Sequence, residues 1–230
     1  MDRRHFVGSC SLAGAALGVP AAFADTLAPR SYPRARLLDA DGKPLKAARI
    51  AAKKNYVFHY PYAATPCFLL NVDRAAPPAK VTGETGDYKW PGGVGVRQQI
   101  VAYSAICAHQ LAYPTKEISF ISFRAGKAGA NQHADVIHCC AEHSQYDPAA
   151  GAKVLAGPAP QPLAAILLEH DPATDELTAV GTLGTEMFNS FFKKYELKLD
   201  LEHNGKANTP SGATVSVQSL DNFCRQQVRC

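Results

Sequence analysis

Two short segments hold the residues best able to do chemistry. Cys107-Ala108-His109 follows the apolar run Ile100-Val101-Ala102-Tyr103-Ser104, and Cys140-Ala141-Glu142-His143 follows Val136-Ile137-His138-Cys139. Each places a thiol and an imidazole at a strand end, so two thiolates and two imidazoles can converge on one centre. Zinc accepts that set tetrahedrally. A [2Fe-2S] cluster would divide it, both thiolates on one iron and both imidazoles on the other.

The elements that must position these loops read as strands. Short runs rich in β-branched and aromatic residues occur at 56–60, 67–72, 99–104, 117–124, 134–139, 163–169 and 177–180, separated by turn residues. No run has the helical spacing of a parallel crossover between strands, so the sequence predicts an all-β fold, an antiparallel sandwich or small barrel. Residues 25–52 read as a wandering arm with one hairpin at Asp39-Ala40-Asp41-Gly42, and residues 75–95 as a Pro/Gly loop holding the sole tryptophan, Trp90. After Thr185, Phe188, Phe191 or Phe192, and Tyr195 recur at spacings of three or four, which fits one amphipathic helix or, on the other period, a buried strand edge.

The chain of 230 residues is 47% hydrophobic and 19% charged, which excludes a disordered protein. Its formal charge of +4 comes without a basic block, so nucleic acid is not an expected partner. Residues 1–24 read as an export signal: Arg3-Arg4, a small-residue apolar stretch, then Ala22-Phe23-Ala24. The arginine pair resembles a twin-arginine signal, which implies a periplasmic protein exported folded. A retained segment would instead tether the chain to the membrane, and Cys10 leaves a lipoprotein reading open.

The two loops, their order and the segments after them resemble the Rieske [2Fe-2S] family. Cys107-Ala108-His109-Gln110 and Cys140-Ala141-Glu142-His143 are followed by Ser144-Gln145-Tyr146-Asp147, and then by Gly157-Pro158-Ala159-Pro160, which is similar to the proline loop that covers the cluster. The resemblance spans about residues 90–182. It implies an all-β Rieske-type sandwich or small barrel with a cluster-binding subdomain, loops 107–114 and 140–147, and one [2Fe-2S] cluster. Around it lie the signal (1–24), arm and base strands (25–89) and a C-terminal extension (183–230). Cys107 and Cys140 would hold the inner iron, and His109 and His143 the outer one. The implied function is one-electron transfer between a periplasmic donor and a redox protein partner, a cytochrome or a larger oxidoreductase subunit. Quinol chemistry stays open because the imidazoles carry a titratable second nitrogen.

The chain departs from the cytochrome bc pattern. The positions matching the loop-bridging disulfide are Ala112 and Glu142, so that bridge is not expected. This resembles more closely the small subunit of arsenite oxidase and related exported Rieske proteins. Tyr146 is placed to give its hydroxyl to a cysteine sulfur and Ser144 to reach a bridging sulfide, both raising the potential. Glu142 near the cluster would oppose reduction.

Cys139, one residue before the expected ligand, should point the other way along its strand as a buried free thiol. One disulfide is expected among the rest, either Cys224–Cys230 or one joining the tail to Cys67. His59, His133, His138, His170 and His203 have no second ligand at motif spacing. An oxygenase would need a further mononuclear iron site with two His and a carboxylate, for which there is no motif. The non-redox alternative is a zinc-stabilised module.

Overall fold

The computed structural model describes residues 27–126 and 133–230. The signal reading at 1–24 and part of the inter-loop segment (127–132) lie outside the described residues. Among the described residues, no helix is long and apolar enough to cross a membrane.

Alternation along each strand sorts side chains between two cores. The strand Pro66–Asn71 is buried throughout. Its Phe68 and Leu70 enter one core, with Val57, Val101 and Tyr103, whereas Cys67 and Leu69 enter another, with Phe58, Ala102 and Ile166. It sits inside an eight-stranded sheet ordered Thr214–Ser216, Arg30–Leu38, Glu176–Leu183, Ala165–Asp171, Ile100–Ser104, Pro66–Asn71, Asn55–His59 and Gln218–Ser219. The two outermost strands are consecutive in the chain. Thr214–Ser216 pairs parallel with one edge and Gln218–Ser219 antiparallel with the other, so one short segment nearly closes the sheet and covers both edges. The second core fills the space the curled sheet encloses.

A smaller antiparallel sheet, ordered Lys153–Ala156, Ser144–Asp147, Val136–Cys139 and Ile121–Arg124, packs against the first. Its Ile121, Phe123, Ile137, Cys139 and Tyr146 join the core beneath the large sheet. The all-β expectation holds: one sheet is nearly a barrel and the other is a subdomain carrying the second Cys/His loop. Three helices follow the last long strand: α1 (Phe188–Lys194), α2 (Glu196–His203) and α3 (Leu220–Phe223).

Two stretches differ from expectation. The arm holds a nine-residue strand, Arg30–Leu38, inside the large sheet, because Ala35 and Leu37 are buried while Arg34 and Arg36 face out. The 75–95 loop contains the hairpin Ala79–Gly83/Gly86–Trp90, whose Val81, Tyr88 and Trp90 enter the core. In both, a period of two is interrupted by flanking Pro, Gly or Arg. The large sheet draws strands from 25–89, 90–182 and 183–230 alike.

His59, at the end of its strand, lies 5.8 Å from the Phe223 ring of α3. Burial pushes its pKa down to about 4, assisted by the charges of His203 and Lys116. The folded protein therefore resists a proton that the unfolded chain accepts near pH 6.5. This stability is fully present above that value and is lost as pH falls from there through about 4, by about 3 kcal/mol. Urea unfolding between pH 7 and 4 should show this loss, and His59→Gln should flatten it.

Candidate metal centre

The first loop is folded by its own backbone and braced from outside. The Cys107 N–H donates to the Ala112 carbonyl at 2.8 Å, and the Leu111 N–H donates to the Cys107 carbonyl at 3.0 Å. Leu111 has φ +60°, a left-handed conformation that costs a non-glycine residue about 1 kcal/mol or more. Its side chain offsets this by joining Ile106, Tyr113, Phe191 of α1 and Leu199 of α2 in a separate apolar cluster. Tyr113 packs edge-on against Phe191 at 4.9 Å, and Lys194 Nζ caps the Gln110 carbonyl at 2.6 Å. Leu111 and Tyr113 thus face the helices, while Ala112 packs against the main core.

The second loop turns between the paired strands Val136–Cys139 and Ser144–Asp147. His143 has φ +60°. Gly157, with φ +88°, lies so close that an added Cβ would meet Ser144 Cα at 2.5 Å and the His143 carbonyl at 2.6 Å. The Ala159 N–H donates to the buried Ser144 Oγ at 3.2 Å. Residues 157–160 are therefore fastened to the second loop through Ser144, whose Oγ accepts there and keeps its own O–H to donate.

Between the loops, two thiols face each other. Cys107 and Cys139 are both fully buried and free. The Cys139 thiol donates to Cys107, which with further donors draws the Cys107 pKa down against the opposing effect of burial. Those further donors are the Tyr146 hydroxyl and the N–H groups of His109 and Gln110. The same thiol contact, and then burial, pushes Cys139 upward, while the N–H groups of Ala141 and Glu142 donate to its sulfur. Tyr146 Oη is 3.3 Å from Cys107 Sγ and also 3.3 Å from the Ala108 nitrogen, whose N–H it accepts. Each sulfur thus sits in a cradle of backbone amides that stabilises negative charge there.

His109, two residues beyond Cys107, has its Nδ1 buried without a hydrogen-bond partner among the described residues. A buried ring nitrogen left unsatisfied costs about 1–3 kcal/mol, so the position calls for a partner such as a metal ion. His143 is exposed, its ring 6.0 Å from that of His138. The Glu142 side chain is exposed as well, and only its backbone N–H reaches toward a sulfur.

Cys140 is not beside Cys107. Its sulfur is joined to Cys230, with Cα atoms 5.7 Å apart. The structure thus pairs Cys140, the ligand that the spacing leads one to expect, with Cys230, and it replaces the expected pairing of the tail cysteines, since Cys67 and Cys224 are free and buried. Strand alternation is the cause. Ile137 and Cys139 point into the core, so His138 and Cys140 point to the outer face, where the end of the chain crosses. There the Arg124 guanidinium donates to the Val228 carbonyl and lies 3.8 Å from Cys140 Sγ. The Cys-x2-His spacing picks out Cys140, whereas the phase of the preceding strand, with apolar Ile137 two residues before Cys139, puts Cys139 on the side of Cys107. His138, Cys140 and Cys230 place ligand atoms within 4.8 Å of one another, but two of the three donors are spent on the disulfide.

No family model matches the chain. Among solved structures it is similar to the soluble domain of the Rieske protein II (soxF) from Sulfolobus acidocaldarius. The identity is 25%, over 66% of this chain and 78% of that one, with a TM-score of 0.47.

The donor set itself fits an iron–sulfur group with mixed thiolate and imidazole ligation. Two facing thiols in amide cradles suit one iron, and the unsatisfied Nδ1 of His109 suits the other. The attachment of residues 157–160 is the part of the site most exposed to steric change. Gly157→Ala combines a left-handed φ with backbone contacts that cannot yield. It should cost about 3 kcal/mol or more in urea unfolding and displace the 157–160 segment, read as faster amide exchange at Ala159.

Proposed function

We propose that this chain is a Rieske-type [2Fe-2S] protein that transfers single electrons, with Cys107 and Cys139 on one iron and His109 and His143 on the other. The observation that carries this reading is the buried Cys107–Cys139 thiol pair, with the unpartnered His109 Nδ1 two residues away. When bound, the cluster would supply reversible one-electron chemistry at a potential raised by its neutral imidazole ligands.

The residues of the chain divide the remaining work. Tyr146 and the amides of His109, Gln110, Ala141 and Glu142 place donors on the two sulfurs, which favours added negative charge. The core around Ile121, Phe123, Ile137 and Tyr146 keeps water from the thiolate side. On the imidazole side, His109 is half-buried and His143 exposed, so that side faces a partner. A redox protein such as a cytochrome, or the large subunit of an oxidoreductase, is the proposed partner. A quinol-oxidising complex or an arsenite oxidase-like assembly is the alternative setting, with a bridge from the second loop to the tail in place of one between the loops. We place the protein in the periplasm on its twin-arginine-like leader; a disulfide agrees with an oxidising compartment.

The deciding experiment is EPR of the dithionite-reduced protein after anaerobic purification. A rhombic [2Fe-2S] signal is expected, absent in Cys139→Ser and retained in Cys140→Ser. A colourless protein loaded with zinc would overturn the redox reading, and loss of the signal in Cys140→Ser alone would reverse the ligand assignment. The hydroxyl of Tyr146 has its own signature. Tyr146→Phe keeps the ring in the core but removes a hydrogen bond that strengthens as the sulfur gains charge on reduction; with a strengthening of about 1–2 kcal/mol, the potential should fall by roughly 40–90 mV. Protein-film voltammetry measures it.

A further inference from the structure

The outer face of the small sheet carries a second piece of sulfur chemistry, independent of the electron-transfer reading. The Cys140–Cys230 disulfide borders a cleft of about 340 Å³ lined by Lys53, Lys54, Arg124, Arg229 and Cys230, with Asp221 as its acidic side chain. Lys53 is partly neutralised by Asp135 at 3.3 Å. Four basic side chains thus stand against the two carboxylates of Asp221 and Asp135. The cleft is therefore cationic, and a sulfur lies in its wall.

The two sulfurs of the bridge are unequal. Cys230 is exposed and lines the cleft, whereas Cys140 is half-buried and has the Arg124 guanidinium 3.8 Å from its Sγ. Thiol exchange needs an accessible sulfur to attack and a leaving sulfur whose growing charge is stabilised. The bridge offers both, at opposite ends.

We propose that the Cys140–Cys230 disulfide is an exchange site for small thiols carrying carboxylates, which enter the basic cleft and attack Cys230. The incoming thiol loses its proton to solvent, and its thiolate forms a bond to Cys230 Sγ. The Cys140–Cys230 bond breaks, and its electron pair leaves on Cys140 Sγ beside Arg124. One disulfide has replaced another, with no net oxidation. A second molecule of the thiol then attacks the mixed disulfide, releases the thiol dimer and leaves Cys230 reduced, so the two thiols supply two electrons in all. The covalent tie between the second loop and the tail is opened, while the pairing of Gln226–Gln227 with Ile118–Ser119 still holds the tail on the sheet.

The test uses the oxidised full chain and three probes: glutathione (anionic), 2-mercaptoethanol (neutral) and cysteamine (cationic). Each rate is normalised to that thiol's rate on a small uncharged disulfide. Glutathione should be about tenfold faster than cysteamine at low salt, and the difference should collapse at high salt. Peptide mapping of the quenched reaction should place the first adduct on Cys230. Arg229→Gln and, separately, Lys54→Gln should each reduce the glutathione advantage while leaving the 2-mercaptoethanol rate unchanged. An adduct on Cys140, rates indifferent to probe charge, or a non-reduced peptide map lacking the Cys140–Cys230 link would each overturn the proposal.

Discussion

The contact between Cys107 and Cys139 is the constraint around which the molecule is arranged. The two sulfurs come from different sheets, one from the loop after Ile100–Ser104 and the other from the end of Val136–Cys139. Bringing them together requires the sheets to pack in one register, which the shared core of Phe68, Tyr103, Ile121, Ile137 and Tyr146 imposes. A thiolate buried there would be costly in an apolar setting. The amide N–H groups and the Tyr146 hydroxyl meet that cost, which is why both loops bend sharply enough to turn successive amides toward a sulfur.

Sharp loops need outside support, and the residues after 183 supply it. Helices α1 and α2 use Phe188, Phe191 and Leu199 to pin Leu111 and Tyr113, which secures the first loop. The end of the chain pairs with Ile118–Ser119 and is bonded to Cys140, which secures the second. The segment around Gly157 closes the remaining side through Ser144. Strain at Leu111 and His143, each with φ near +60°, persists because neighbouring contacts over-determine the loop. The extension is thus part of the site's framework, with both halves of the centre resting on it.

Much of this was legible in the residues. Strands at 67–72, 99–104 and 134–139 show as short apolar runs, and the helix near 188–194 shows in the spacing of its phenylalanines. The two loops, Tyr146 and the 157–160 segment stand out in the sequence because their chemistry is distinctive in type and order. The strands Arg30–Leu38 and Ala79–Gly83 were missed, since alternation over a few residues is weak when Arg, Pro and Gly surround it. The disulfide was missed for a different reason. A bridge between residues 140 and 230 depends on how the chain end crosses a sheet, and no local pattern carries that.

The adjacent pair Cys139-Cys140 shows how far one residue moves a side chain in a strand. A spacing rule counts positions and selects Cys140, because it stands three before His143. The pleat selects Cys139, because Ile137 and Tyr146 have already committed that face to the core. When the two disagree, the surroundings decide: moving the strand by one residue would place the His138 imidazole among the apolar side chains of the core, an unpaired polar group that costs about 1–3 kcal/mol, and take Ile137 out of that core. A loop is cheaper to adjust than a strand. The second loop therefore spans Cys139 to His143 with an extra residue and absorbs it at His143, whose left-handed backbone lets the chain turn back into Ser144–Asp147. Cys140, left on the outer face by the same pleat, is then free to take the tail, so one register choice settles the buried thiol, the strained histidine and the disulfide together.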